Sequence, residues 1–173
     1  MKGILFKPEM IRAILDGKKT MTRRIIKPQP EHDFRFIAPA IVNYKFALKD
    51  NMKYIIAPYQ PGEVIYIKEA YDEGCMGGYI YKLDYTDEEL KSAAKGVFRW
   101  KSPLFMPKKA ARFYLQIKNV NIQRLSEISV EDALKEGFTN TFNFLAYWCK
   151  INGEQSLDEN PWVWVITFTP IPF

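Results

Sequence analysis

The stretch ARFYLQIKNVNIQRL, residues 111–125, is the longest strand pattern in the chain and decides how the rest is read. Phe113, Leu115 and Ile117 fall on one face of an extended strand, but Val120 and Ile122 fall on the opposite parity. A slip of one residue inside a single strand means a bulge or bend near Asn119. The other long strand pattern, Trp162 to Phe168 behind Pro161, is apolar on both faces, as a buried barrel strand is.

Working outward, Gly3 to Phe6 reads as a short strand, and Pro8 suits the first turn of a helix. Met10, Ile11, Ile14 and Leu15 form that helix's apolar stripe, with Arg12 and Asp16 as an i, i+4 ion pair and Gly17 as its stop. Thr20 to Ile26 alternates and is β-branched, hence a strand. Pro61-Gly62 turns into a strand over Glu63 to Glu69, and residues 79–83 read as another. Thr86 opens a capping box with Glu89 and a helix to about Lys95. Ser129 caps a helix that Gly137 ends, and a second helix follows over 140–151. Two excursions, at about 27–58 and 72–110, interrupt this frame, the first with a small hairpin around 35–46. Strands dominate and helices come singly, unlike the βαβα alternation of a doubly wound sheet. The predicted fold is α+β: a single domain over 1–173, a small, mostly antiparallel β-barrel with a few short helices and two insertions.

With 173 residues, 47% hydrophobic and 15% aromatic, the chain has enough apolar mass for one packed core. Disordered, collagen-like and disulfide-scaffold classes are excluded. No apolar run approaches the roughly 18–20 residues that span a bilayer. MKGILFKPEM has too short an apolar stretch for a signal peptide, so the expected location is cytoplasmic with no membrane partner. Cys75, Cys149 and His32 have no metal-ligand spacing, and neither a metal nor a cofactor is expected. Cys149 completes an apolar stripe with Phe142, Leu145 and Ala146 and is expected to be buried; Cys75 sits in a glycine-rich loop and His32 in a solvated one. Net charge is +5, and residues 1–30 hold eight Lys or Arg against two acids, so the positive excess lies at the N-terminus. A basic patch of that kind suits a polyanion such as nucleic acid, or is simply a solvated surface.

Within that segment runs Gly17-Lys18-Lys19-Thr20-Met21-Thr22-Arg23-Arg24. On a strand, Thr22 and Arg24 share one face while Met21 and Arg23 take the other, and Lys19 can swing to either. A hydroxyl, an ammonium and a guanidinium in one place can hold an anion or polarise a carbonyl. The cluster also reads as a basic strand on a solvated face. It is not a Walker loop, because Arg12 stands where that motif needs glycine. Glu136 falls in the last turn before Gly137, where the helix dipole disfavours an ionised carboxylate. Such a residue marks a functional site or an exposed, frayed end. Among Tyr66, Tyr71, Trp100, Trp148, Trp162 and Trp164, the tryptophans 162 and 164 read as core, while Tyr66 and Trp100 are the better candidates for stacking a base.

The spacing Gly17-x-Lys19-x-x-Thr22-x-Arg24 resembles the signature of the ASCH domain family, which has a PUA-like barrel. Ile4-Leu5-Phe6, Tyr59 to Val64, Leu125 to Ile128, Ala133 to Gly137 and Asn160 to Trp164 are similar to further landmarks of that family in the same order. The layout looks like ASCH proteins common in bacteriophages and prophages. The resemblance implies RNA or nucleotide binding. Small bacterial members with threonine in the motif are amidohydrolases that deacetylate N(4)-acetylcytidine; their lysine, threonine and glutamate fall on Lys19, Thr22 and Glu136, and their arginine on Arg24. The two inserts match nothing in those small members.

Read as a hydrolase, Thr22 is the nucleophile on an amide carbonyl and Lys19 the base, its proton affinity lowered by Arg23, Arg24 and burial. Glu136 then passes a proton to the leaving amine and Arg24 stabilises the oxyanion. An alternative split makes Glu136 the base for water and Lys19 the oxyanion donor. Read as a non-catalytic RNA-binding module, Lys19, Arg23 and Arg24 contact phosphate and Tyr66 or Trp100 stacks a base. Other ASCH members cleave RNA. A third reading is a phage accessory factor that binds a host protein through an exposed apolar patch in the inserts.

Overall fold

A computed structural model of the chain describes residues 1–30, 34–35, 45–48, 54–74, 77–94 and 96–172. His32, Cys75, Lys95 and most of the hairpin expected around 35–46 lie outside the described residues. The elements are β1 (Gly3–Leu5), α1 (Pro8–Leu15), β2 (Met21–Ile25), β3 (Phe34–Arg35), β4 (Lys45–Leu48), β5 (Tyr54–Ile56), β6 (Val64–Lys68), β7 (Tyr71–Glu73), β8 (Tyr79–Tyr81), α2 (Asp87–Ser92), β9 (Tyr114–Arg124), α3 (Val130–Lys135), α4 (Thr141–Asn152), α5 (Gln155–Asp158) and β10 (Trp162–Ile171).

The architecture is α+β. A five-stranded sheet has the order β1-β6-β9-β10-β2, with β1 parallel to β6 and the other neighbours antiparallel. The first insert carries the three-stranded sheet β3-β4-β5, and the second carries the hairpin β7-β8. Among the described residues the five-stranded ladder does not close into a barrel: β1 and β2 are its edges.

The parity slip in 111–125 is a real irregularity. Thr167 lies opposite Asn119 but Phe168 lies opposite Ile117, so Lys118 has no partner on β10. The extra residue returns Leu115, Ile117 and Val120 to one core despite their mixed parity. β10 serves two cores, which is why both its faces are apolar. Trp164, Ile166 and Phe168 join Ile4, Ile11, Ile14 and Ile65 beneath α1, while Val163 and Val165 meet Met21, Ala133, Phe144 and Trp148 beneath α3 and α4.

Two local expectations are corrected. In α4 the buried stripe is Phe144 and Trp148, and Phe142 is 77% exposed. Cys149 is half-buried. α4 carries apolar side chains on more than one side, and the larger pair one turn apart takes the core. Arg12 does not pair with Asp16. It reaches the Leu83 carbonyl at 3.5 Å, and Asp16, already past the helix, accepts from Lys18.

The second insert is pinned to the sheet by one guanidinium. Arg112 grips buried Glu69 with Nε and Nη2 at 2.8 and 2.9 Å, holds Asp84 from 3₁₀ turn 82–84, and lies 3.9 Å from the Tyr81 ring centroid. Burial alone lowers its proton affinity, but the hydrogen bonds it donates to Glu69 and Asp84 raise it above the ordinary arginine value. Thr86 and Glu89 form the expected capping box, though α2 stops at Ser92. Val97, Leu104 and Phe105 of this insert are exposed. No helix among the described residues is long and apolar enough to cross a membrane.

Ile166 is fully buried on β10 between β9 and β2. Ile166→Ala is expected to cost about 2–5 kcal/mol, read as a lower urea midpoint with an unchanged slope.

Candidate functional site

Three chain turns place the site. Gly17, at φ +72°, releases α1 so that the Lys18 and Lys19 amides both bond the Ala13 carbonyl at 2.9 Å. Lys19 then forms an isolated antiparallel bridge with Glu136, and the Thr20 amide bonds the Lys135 carbonyl at 2.8 Å. Ser129 caps α3 through the Asp132 amide, and the helix ends at Glu136. Gly137 has φ +90°, and a Cβ there would stand 3.4 Å from Ala13 Cβ and Lys19 Cβ. Glycine is what lets the end of α3 come this close to Lys19.

The bridge brings two charges together inside the protein. Lys19 Nζ donates to Glu136 Oε2 at 2.6 Å and to the Glu136 carbonyl at 2.9 Å. Both side chains are 3% exposed. Glu136 is therefore not a frayed end: its carboxylate is enclosed and takes a second donor, Arg23 Nη1, at 3.3 Å on Oε1. Two of the three ammonium protons of Lys19 are used by Glu136. Burial lowers the Lys19 pKa below 10.5; Glu136 opposes that, and Arg24 and Arg23 add to it.

β2 distributes the remaining groups as its alternation requires. Arg23, opposite Val165, points to the second core and its side chain is fully buried. It is held by Asp132 Oδ2 at 2.5 Å, Gln123 Oε1 at 3.0 Å and Met21 Sδ at 3.3 Å, with the Phe144 ring 5.8 Å away. Its Nε has no partner among the described residues. Thr22 and Arg24, opposite Ile166 and Trp164, take the other face. Thr22 is buried, and its hydroxyl makes no hydrogen bond among the described residues. Arg24 is half-buried, lies 5.2 Å from the Phe6 ring centroid and donates to the Leu5 carbonyl, so its side chain spans from β2 to β1, the two open edges of the sheet. No carboxylate pairs with it among the described residues, and burial lowers its pKa.

Lys19, Thr22, Arg23, Arg24 and Glu136 all line one cavity of about 400 Å³. That lies within the range of small-molecule sites. Phe6, Phe138, Phe144, Tyr147 and Trp148 supply apolar and aromatic wall, and Pro103 reaches it from the second insert. Tyr147 Oη donates to Glu9 at 3.4 Å; burial, then Glu9, push its pKa up to about 12, against the pull of Arg24. The phenol is a hydrogen-bond donor at any working pH.

Two sequence-predicted residues do not line this cavity. Tyr66 is 7% exposed on the face of β6 away from Ile65 and Ile67, beside Gly3 and Tyr114. Trp100 stacks on Phe98 at 4.8 Å and abuts Tyr85 within the second insert. The sequence reading missed Phe6, Phe138, Phe144 and Tyr147 as cavity wall, and Asp132 and Gln123 as the anchors of Arg23. The Phe144-Trp148 spacing was the available signal for the wall. Among the described residues no group of three His, Cys, Asp or Glu side chains gathers as metal ligands. No family model, curated protein or solved structure matches the chain at a significant level.

An enclosed ion pair is costly to break and less costly to remove whole. Glu136→Ala is expected to lose about 3–5 kcal/mol of stability, and the double change Lys19→Met with Glu136→Leu to recover most of that loss, both read by urea denaturation.

Proposed function

We propose that the chain is an ASCH-type amidohydrolase that removes an acyl group from the exocyclic amine of a nucleoside, N(4)-acetylcytidine being the first substrate to try. One observation carries the reading. Lys19, Thr22 and Glu136 line a single cavity, with the lysine and glutamate in contact and the threonine hydroxyl uncommitted. A PUA-like barrel is part of the same proposal, supported by the Arg24 side chain that reaches from β2 to the Leu5 carbonyl of β1.

Burial favours the neutral amine of Lys19, which supports that residue as the base. Its proton moves to Glu136. Thr22 Oγ attacks the acyl carbon and gives its proton to Lys19, and the resulting oxyanion lies against Arg24. The C–N bond breaks as Glu136 protonates the leaving nitrogen, and the acyl group remains on Thr22 as an ester. Water attacks that ester, its proton going to Glu136, and Thr22 leaves with the proton from Lys19. The acid is released, and the proton on Glu136 returns to Lys19 to restore the starting ion pair.

The RNA-module reading has less support. Of Lys19, Arg23 and Arg24, which it assigns to phosphate, the first two are enclosed and already matched to Glu136 and Asp132, while Arg24 is half-buried. Tyr66 and Trp100 lie off the cavity. The accessory-factor reading draws on exposed Val97, Leu104 and Phe105 in the second insert.

Purified protein is expected to release cytidine and acetate from N(4)-acetylcytidine. Thr22→Ala and Glu136→Ala should each cut kcat about 100-fold or more while the proteins stay folded by circular dichroism. A folded wild type without turnover sinks this substrate. The descending limb of kcat against pH should fall below 10.5, because the pair must keep the one proton that Glu136 delivers to the leaving nitrogen, and the enclosed lysine loses it more readily than a free one. A limb at the ordinary lysine value argues that Lys19 is not the base.

A further inference from the structure

Arg23 stands in the motif segment as a candidate contact for substrate or RNA, yet its geometry is that of a residue facing inward. Its side chain is fully buried, and it meets protein groups at both ends of the guanidinium. Nη2 takes Asp132 and Gln123, and Nη1 takes Glu136 Oε1 and Met21 Sδ. The groups therefore form a line from partly exposed Asp132, through Arg23, to Glu136 and then Lys19. Each link joins opposite charges. Arg23 occupies Oε1, which leaves Oε2 for the ammonium of Lys19.

We propose that Arg23 is a positioning residue: with Asp132 behind it, its cation fixes the Glu136 carboxylate against Lys19 and sets which member of that pair holds the proton. The proposal rests on the hydrolase reading for its meaning in turnover, but the network has a physical signature of its own. Arg23 is a positive charge near the lysine, so it favours the neutral amine. Asp132 offsets that charge. Removing Arg23 and removing the Asp132 charge must therefore push Lys19 in opposite directions. The other groups around the pair are Arg24 of β2, the Phe6 ring at 5.9 Å from Lys19 Nζ, Gln123 of β9, and Tyr147 of α4 with its partner Glu9. None of these changes in the two variants.

The test is a titration of the Lys19 side-chain nitrogen by NMR in lysine-labelled full-length protein, assigned with Lys19→Arg, in wild type, Arg23→Met, Arg23→Lys and Asp132→Asn. The Lys19 titration is expected to move up in Arg23→Met, to move down in Asp132→Asn, and to stay near wild type in Arg23→Lys. The descending limb of kcat should follow in the same directions, with kcat in Arg23→Met down about 100-fold and KM within about twofold. A purely structural arginine would move both variants the same way or neither, and either result overturns the proposal. Should Arg23→Met fail to fold, the downward move in Asp132→Asn and the retained value in Arg23→Lys carry the test. Opposite shifts without any deacetylation keep Arg23 in its positioning role and remove N(4)-acetylcytidine as the substrate instead.

Discussion

A carboxylate enclosed between two enclosed cations is the constraint on which this structure turns. Glu136 accepts from Lys19 and from Arg23, across sequence separations of 117 and 113 residues. Those contacts tie the end of α3 to the start of β2, and β2 in turn lies along β10. None of the three charges could be enclosed alone, since an unpaired ion would lose several kcal/mol of hydration. A stable fold does not require such a set, because well-packed apolar side chains can fill the same space at equal or lower free energy. The set lies on the wall of a 400 Å³ cavity.

The basic N-terminal segment takes on a different meaning once its neighbours are known. Lys19 and Arg23 face inward to carboxylates, and Arg24 bonds a backbone carbonyl and lies on an aromatic ring. Two of the eight basic side chains in 1–30, Lys19 and Arg23, are committed inside the protein and Arg24 is half-buried, while Lys2, Lys7, Arg12, Lys18 and Lys27 stay exposed. What the cavity offers a ligand is the Thr22 hydroxyl, the remaining donors of Arg24 and a set of aromatic walls. The second insert takes part through Pro103, and the Arg112 clamp on Glu69 and Asp84 anchors that insert to the sheet.

Much of the frame was legible residue by residue. The parity change around Asn119 marks a bulge that the register places at Lys118. Thr86 and Ser129 cap the helices their spacing suggested, and Gly17 and Gly137 adopt the positive φ that ends a helix. These features are local: a few adjacent side chains and backbone amides decide them. The stripe in α4 was misread because that helix is apolar on several sides, and only the shape of the neighbouring core chooses Phe144 and Trp148 over Phe142.

The sequence by itself determined which face of a strand each side chain would take. Thr22 and Arg24 share one side of β2 and Arg23 takes the other because successive residues of a strand alternate. Tertiary structure alone decided what each charge meets. An exposed lysine and an enclosed one read identically in a sequence, since their difference lies in the loss of water and the arrival of Glu136 from over a hundred residues away. Hydration and Coulomb energy depend on distance in space, and no spacing along the chain records it.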